Sequence, residues 1–480
     1  MAPSPRRPGV YDRLVALSLV TTRTDRNDAS SGHSRESRGG VDRCPGSVEV
    51  HRAEDGGLAR IRVPGGVLTR DSLVALTGLA AELGNGRIEL TARGNLQLRG
   101  LAPGAEVELS ARLAAHGLLP SVPHDRARNV LASPLSGRDG VGVLDVRPLV
   151  AELDRRLCAD PELAALPGRF LFALDDGRGD VAGQRADVAV LALPDQRVAL
   201  LLGGRDSGLR LPVRAAVTGL LASATAFLRR RADERVWRVA ELPDGPLELV
   251  PDVRAALVAG LGGDPAGPLG GDLAGPLGGD PASWLGGGPA VSVPDRDPRG
   301  PVGRIEQTDG RVALAASVPL GELTQSRCQV LAAVAEREVL LTPWRGVVLP
   351  DVAPPATELA ARRLTGAGLL LDPASPSLGV SACTGRPGCA KALADVRADA
   401  SGAAGRAAGT AVPPAEDVDG VRLPVHWSGC ARRCGRPAGP AVDVVAEVGG
   451  YQVLRDGEAV YAGADLGAVR AAAAQARSSR

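Results

Sequence analysis

Apolar positions along this chain follow two rhythms. Residues 58–63, LARIRV, alternate apolar and polar side chains, which predicts a half-buried strand. Residues 72–83, SLVALTGLAAEL, space their apolar side chains at three and four, which predicts an amphipathic helix. Thr69 stands where that helix needs an N-cap, and Gly84 where it needs a stop. Residues 87–101, RIELTARGNLQLRGL, then read as two short strands. The same order returns later in the chain. RVALAASV predicts a strand, SRCQVLAAVAERE a helix capped by Thr324, and REVLLTPWRGVVLPDV two more strands. The links match as well: VPGGVLT at 63–69 and VPLGELT at 318–324 share V-P-x-G-x-L-T, 255 residues apart. A duplicated unit is the economical explanation. A site between the copies is then expected, because such interfaces favour pockets.

Each repeat is followed by a longer α/β stretch, roughly 111–255 and 356–480. The second ends in strands around VDVVAEV and YQVLRDGEAVYAG and an alanine-rich helix. Between the halves, GDPAGPLG, GDLAGPLG and GDPASWLG follow one another within 263–286. Octads this rich in Gly and Pro cannot build a core, so a flexible linker over 256–300 is expected. Residues 21–43 are polar, and 1–44 read as a disordered leader.

The composition, with 480 residues, net charge +1 and 2% aromatics, argues against a general nucleic-acid binder, which needs a basic surface excess. No apolar run is long enough to span a bilayer, and a cytoplasmic protein without a membrane partner is expected. Lys391 is the only lysine, so the excess of arginine reflects a compositional bias and carries no functional weight alone.

Four cysteines change the picture. Cys383 and Cys389 form C-x5-C, and Cys430 and Cys434 form C-x3-C. Two such pairs about forty residues apart bring four thiolates from two loops, a set suited to one [4Fe–4S] cluster. Gly429 and Gly435 leave room for a cofactor beside the backbone. Structural zinc and two disulfides are the rival readings; the long C-x5-C arm suits a zinc knuckle poorly, and reduced thiols suit the cytoplasm. Cys158 and Cys328 sit in helical patterns and read as packing residues, while Cys44, in the turn DRCPGS, stays ambiguous.

Repeat and cysteine spacing together resemble the sulfite/nitrite reductase superfamily over roughly residues 45–470. The resemblance implies an α+β fold. Ferredoxin-like half-domains at 45–110 and 301–355 and two α/β domains at 111–255 and 356–480 would be related by pseudo-twofold symmetry. It also implies a tetrapyrrole gripped through its carboxylates. LTARGNLQLRG keeps the T-x-R-x-x-x-Q pattern, giving Arg93 and Gln97, with Arg99 beside them. ARNVLASP gives Arg128 and Asn129, and LPGRFLF gives Arg169. Leu171 stands where the reductases have a second basic residue, which weakens the case for bound sirohaem. CPG at Cys44, RNVLASPLSG, LPGRFLFALDDGRGD, LTPWRGVVL and GGYQVLRDG resemble the precorrin-3B synthase branch.

That branch implies an oxygen-dependent monooxygenase acting on precorrin-3A, with a [4Fe–4S] cluster and a mononuclear non-haem iron. An NADH-linked reductase or a ferredoxin would donate electrons, since no dinucleotide fingerprint is present. The iron ligands are not assignable; His124 and Asp125 form the best local pair, ahead of His33 and His116, while His426 could hydrogen-bond the cluster. A sirohaem sulfite or nitrite reductase and a plain iron–sulfur carrier are the alternatives.

Overall fold

The computed structural model describes residues 42–231, 233–261, 290–291, 300–404, 422–437 and 439–478. The octads, His33 and nearly all of the expected leader lie outside them. The first repeat supplies β1 (His51–Ala53), β2 (Gly56–Ile61), β3 (Val67–Thr69), α1 (Arg70–Leu83), β4 (Arg87–Leu90), β5 (Leu96–Leu101) and α2 (Ala105–Ala115). Then come β6 (Val130–Ala132), α3 (Arg147–Ala159), β7 (Phe172–Asp175), β8 (Val188–Ala192), β9 (Arg197–Leu202), β10 (Arg205–Pro212), α4 (Ala216–Arg230) and α5 (Val250–Leu261). Helix α5 runs into the stretch expected to be linker from 256.

The second repeat supplies β11 (Gly303–Glu306), β12 (Val312–Ser317), β13 (Glu322–Thr324), α6 (Gln325–Val334), β14 (Glu338–Leu341), β15 (Gly346–Val352) and α7 (Thr357–Gly366). The chain closes with β16 (Val380–Ala382), α8 (Val396–Ala404), β17 (Val425–Ser428), β18 (Val442–Glu447), β19 (Gly450–Arg455), β20 (Glu458–Gly463) and α9 (Leu466–Ser478).

The caps behave as their residue types require. The Thr69 and Thr324 hydroxyls accept from the third residue of α1 and α6, Ser72 and Arg327. Gly84 caps α1 with its N–H on the Ala80 carbonyl, in extended backbone rather than a left-handed cap.

The two repeats exchange a strand, which the sequence did not announce. One sheet runs β1-β2-β5-β4-β13 and the other β11-β12-β15-β14-β3, so each repeat lends its third strand to its partner. Leu323 pairs with Ile88, and Leu68 with Val339. Their helices and apolar sheet faces share one core, in which Leu68, Leu76, Ile88, Leu98, Leu323, Leu331 and Leu349 are buried together. The two remaining sheets also match. β6-β7-β8 are parallel and β9 and β10 antiparallel; β16-β17-β18 are parallel and β19 and β20 antiparallel. The equivalent orders give the chain its pseudo-twofold arrangement.

Candidate functional site

Strand alternation puts Arg60 and Arg62 on one face of the chain leaving β2. Arg62 is 2% exposed. Its Nη2 donates to the Gly168 carbonyl at 3.1 Å and reaches the Cys44 sulfur at 3.6 Å. Its Nε and Nη1 are buried with no hydrogen-bond partner. Arg60 donates from Nη1 to Cys44 at 3.1 Å, and from Nε and Nη2 to Gln97 Oε1 at 3.1 and 2.5 Å. Arg93, in the turn between β4 and β5, donates to the Arg169 carbonyl at 3.1 Å. Arg169 lies over the Trp237 ring at 4.8 Å, with Nε 3.4 Å from Asp42. Arg238, bonded to Asp187 at 2.9 Å, completes the group. Burial, and then the Arg238 charge, pulls Arg93 down to about 10, so it remains a cation at neutral pH. Burial pushes the Cys44 thiol up, but Arg60 and Arg62 outweigh it and the thiol is held below its ordinary range.

The structure thus brings Arg93 and Arg169 together and adds Arg60, Arg62 and Arg238, which the sequence reading missed. The R-x-R spacing of Arg60 and Arg62 was the available signal. Asn129 braces the pair. Its Nδ2 donates to the Phe170 carbonyl at 3.0 Å and its Oδ1 accepts from Asn95 at 2.8 Å, joining the Arg169 and Arg93 segments. Arg128 stands apart, held in a two-point ion pair with Asp154 at 2.7 Å. Arg99 is likewise engaged, with Asp55 at 2.8 and 2.9 Å and the Gly388 carbonyl at 3.0 Å. Leu171 is buried among Leu131, Ala173 and Leu191, an apolar setting in which burying a second cation would be costly.

His124 and Asp125 do not make an iron site. His124 Nδ1 bonds Ser121 Oγ and Nε2 bonds the Asp160 carbonyl, while Asp125 accepts from Ser47 N, Ser47 Oγ and Val48 N. Both side chains are fully engaged in holding loops. Asp175, Asp176 and Asp180 are the carboxylates that converge among the described residues, within 4.8 Å of one another. Asp175 is consumed by the N–H groups of Gly177, Gly179, Val181 and Ala182, and Asp176 by Arg178.

β16 and β17 are parallel neighbours, so the loops that follow them, which carry the four cysteines, leave the last sheet at the same end. Cys383 follows β16; its thiol accepts from the Gly429 N–H at 3.2 Å, and its own N–H donates to the Trp427 carbonyl at 2.9 Å. Burial raises this thiol against the pull of the Gly429 and Gly385 N–H groups, and the charges of Cys434 and Cys389 add to the rise. Packing requires a glycine at 429: a Cβ there would meet Ala392 Cβ at 2.7 Å. Gly435 sits at φ +82, the left-handed region that favours glycine. Both repeats seat these loops. Arg99 bonds Gly388, Arg397 bonds the Cys383 carbonyl at 3.3 Å and Glu89 at 2.7 Å, and Arg345 bonds the Gly435 carbonyl at 2.6 Å.

Register fixes the turn of the last cysteine. Ser381, His426 and Asp443 are partners in a row across β16, β17 and β18, all buried. Ser381 Oγ stands 2.9 Å from His426 Nδ1, and His426 Nε2 lies 3.0 Å from the Cys434 carbonyl. A carbonyl only accepts, so Nε2 carries the hydrogen. Asp443 holds Arg433 and Arg436, on either side of Cys434, at 3.1 and 2.9 Å. Burial, then Arg345, pulls His426 down to about 3, so the ring is neutral. With four thiols from two braced loops, one of them already accepting a backbone N–H, the donor set fits a four-thiolate cluster.

Comparison with known proteins finds related sequences and a related fold. Residues 51–116 match the nitrite/sulfite reductase ferredoxin-like half domain. A precorrin-3B synthase of Sinorhizobium sp is 27% identical, covering 87% of this chain and 83% of that protein. A ferredoxin–nitrite reductase of Synechococcus elongatus is 29% identical, covering 84% and 78%. Sulfite reductase [ferredoxin] 2 of Mycolicibacterium paratuberculosis is 24% identical, covering 84% and 71%. The structure of the Mycobacterium tuberculosis NirA protein superposes with a TM-score of 0.62 at 20% identity, covering 85% of this chain and 76% of that one, a likeness of fold. In sequence the chain is thus similar to a precorrin-3B synthase and to nitrite and sulfite reductases, one segment matches their ferredoxin-like half domain, and its fold is of the nitrite/sulfite reductase type.

Proposed function

We propose that this chain is an oxidoreductase that binds a carboxylate-rich tetrapyrrole between its halves. Its reaction is the oxygen-dependent conversion of precorrin-3A to precorrin-3B: hydroxylation at C20 with closure of a γ-lactone from the ring A acetate. The observation that carries the reading is Arg62, a buried guanidinium with Nε and Nη1 unsatisfied inside a group of arginines. Buried charged donors left without partners are costly, and a carboxylate is the natural ligand to relieve that cost. The Sinorhizobium relative supports the choice of substrate.

In this reading Arg62, Arg93 and Arg169 hold substrate carboxylates, and Asn129 keeps two of their segments in register. Arg128, paired with Asp154, acts as a support for the loop. Cys383, Cys389, Cys430 and Cys434 would hold the [4Fe–4S] cluster, which supplies single electrons from a ferredoxin or an NADH-linked reductase. The described residues provide no fitting ligand set for a mononuclear iron at His124 and Asp125, and no step is assigned to one.

A second reading, a sirohaem nitrite or sulfite reductase, is favoured by the Synechococcus relative. Purified protein incubated with precorrin-3A, reductant and oxygen distinguishes the two. Formation of the hydroxylactone supports the first reading, whereas intense sirohaem absorption with nitrite or sulfite turnover replaces it by the second. Anaerobic titration of Arg62→Ala and Arg93→Ala with precorrin-3A is expected to show affinity lowered about ten- to a hundredfold. Wild-type affinity in both variants removes the arginine group from the site.

A further inference from the structure

Ser428 is the last residue of β17 and immediately precedes the Gly429-Cys430 step. Its side chain is fully buried, and its Oγ has no hydrogen-bond partner. A hydroxyl in that condition loses its water contacts on folding and recovers nothing, so a partner absent from the polypeptide is implied. The direction of the partner follows from strand alternation. Val425 and Trp427 pack into the apolar core with Val444, Val453 and Val469. His426 and Ser428, two residues apart, share the opposite face. On that face His426 reaches the Cys434 carbonyl, and the N–H of Gly429, next to Ser428, reaches the Cys383 sulfur at 3.2 Å. Cys383 is itself two residues beyond Ser381, the register partner of His426. The Cys383 side chain itself packs against the apolar cluster of Val425 and Trp427, so what ties the hydroxyl to the cysteine loops is its place beside the Gly429 N–H that reaches Cys383 and two residues before Cys430.

We infer that the Ser428 hydroxyl donates a hydrogen bond to a sulfur of the iron–sulfur group held by Cys383, Cys389, Cys430 and Cys434, and so raises its reduction potential. The inference rests on the assignment of those cysteines to a [4Fe–4S] cluster. A donor to a cluster sulfur stabilises the more negative, reduced state, so its removal moves the potential down. The Gly429 N–H supplies one such donor through the backbone, which changing the neighbouring side chain leaves in place; Ser428 supplies a second that Ser428→Ala removes. A structural role would give Oγ a protein partner, which it lacks.

Ser428→Ala and Ser428→Thr test this in the full chain, each with and without a reconstituted cluster. Without the cluster, Ser428→Ala deletes only an unsatisfied oxygen, so its melting temperature is expected to equal or exceed that of the wild type. With the cluster, Ser428→Ala is expected to keep its iron and sulfide content while its midpoint potential shifts negative and its reduced-state EPR signal changes. Ser428→Thr, which retains the hydroxyl, is expected to keep the wild-type potential. An unchanged potential in Ser428→Ala overturns the inference, as does a fall in cluster-free stability, which would mean that the hydroxyl serves the fold. Wild-type protein that takes up no iron and sulfide overturns the cluster assignment itself, and the inference with it, while the cluster-free melting comparison would still report on the hydroxyl.

Discussion

Asp180 is pushed up to about 7, first by burial and then by the neighbouring Asp175 charge, against the opposing pull of the Ser133 hydroxyl and Arg178. A carboxyl raised in the fold holds its proton there between about pH 4 and 7, where the unfolded chain has released it. Its contribution is therefore full below about pH 4 and is lost as the pH rises towards 7. Asp180→Asn removes that loss. The variant is expected to be more stable than the wild type by about 1–3 kcal/mol at pH 8 and nearly equal at pH 4, read by thermal unfolding at the two pH values. At this scale the sequence was legible where short motifs mark segments that the fold joins, as for Arg93 and Arg169. It was silent where the partner lies far along the chain. Nothing near Arg128 marks Asp154 as its counter-ion, and nothing near Asp125 marks the Ser47 turn that consumes it.

Among the elements, strand type and order were readable because apolar periodicity reports burial directly. The exchange of β3 and β13 was not, since a three-residue strand reads the same whichever sheet receives it. The exchange depends on close approach at Gly66. Its φ is +73, and a Cβ there would stand 2.2 Å from the Leu341 carbonyl oxygen, at the β14 end of the partner sheet. The obstructing atoms are all Leu341 backbone, so Gly66→Ala is expected to cost about 2–4 kcal/mol, seen as a lower urea midpoint with an unchanged slope. A second test concerns the turn around Cys434. His426→Leu leaves the Cys434 carbonyl without its donor, whereas His426→Gln can place an N–H near the same point. Amide exchange at 433–436 in cluster-free protein is expected to quicken about tenfold in the first variant and less in the second; equal exchange in the wild type and His426→Leu would show that the row does not brace the turn.

For the molecule as a whole, neither repeat completes its sheet alone, and the shared core draws residues from both. Residues 42–261 and 300–478 expressed separately are therefore expected to melt without a cooperative transition. The same two chains produced together should assemble and recover one transition near that of the intact protein, with the loss of the covalent connection costing a concentration-dependent increment. Two fragments that each melt cooperatively would show that the exchanged strands are dispensable. The repeat foretold the symmetry, but only the register shows that it is an exchange rather than a side-by-side packing of finished units.

The exchange also constrains how the protein can be made. While the ribosome is still reading the first half, Arg87–Leu90 has β5 on one side and nothing on the other, because Glu322–Thr324 has not been synthesised. Translation at about 5–20 residues per second leaves that edge open for more than ten seconds, long enough for it to recruit a wrong strand from another nascent chain. Helix α1, on the buried face of the same sheet, cannot cover the edge. Productive synthesis of this protein therefore depends on keeping the half-made chain apart from its neighbours until its own second half arrives.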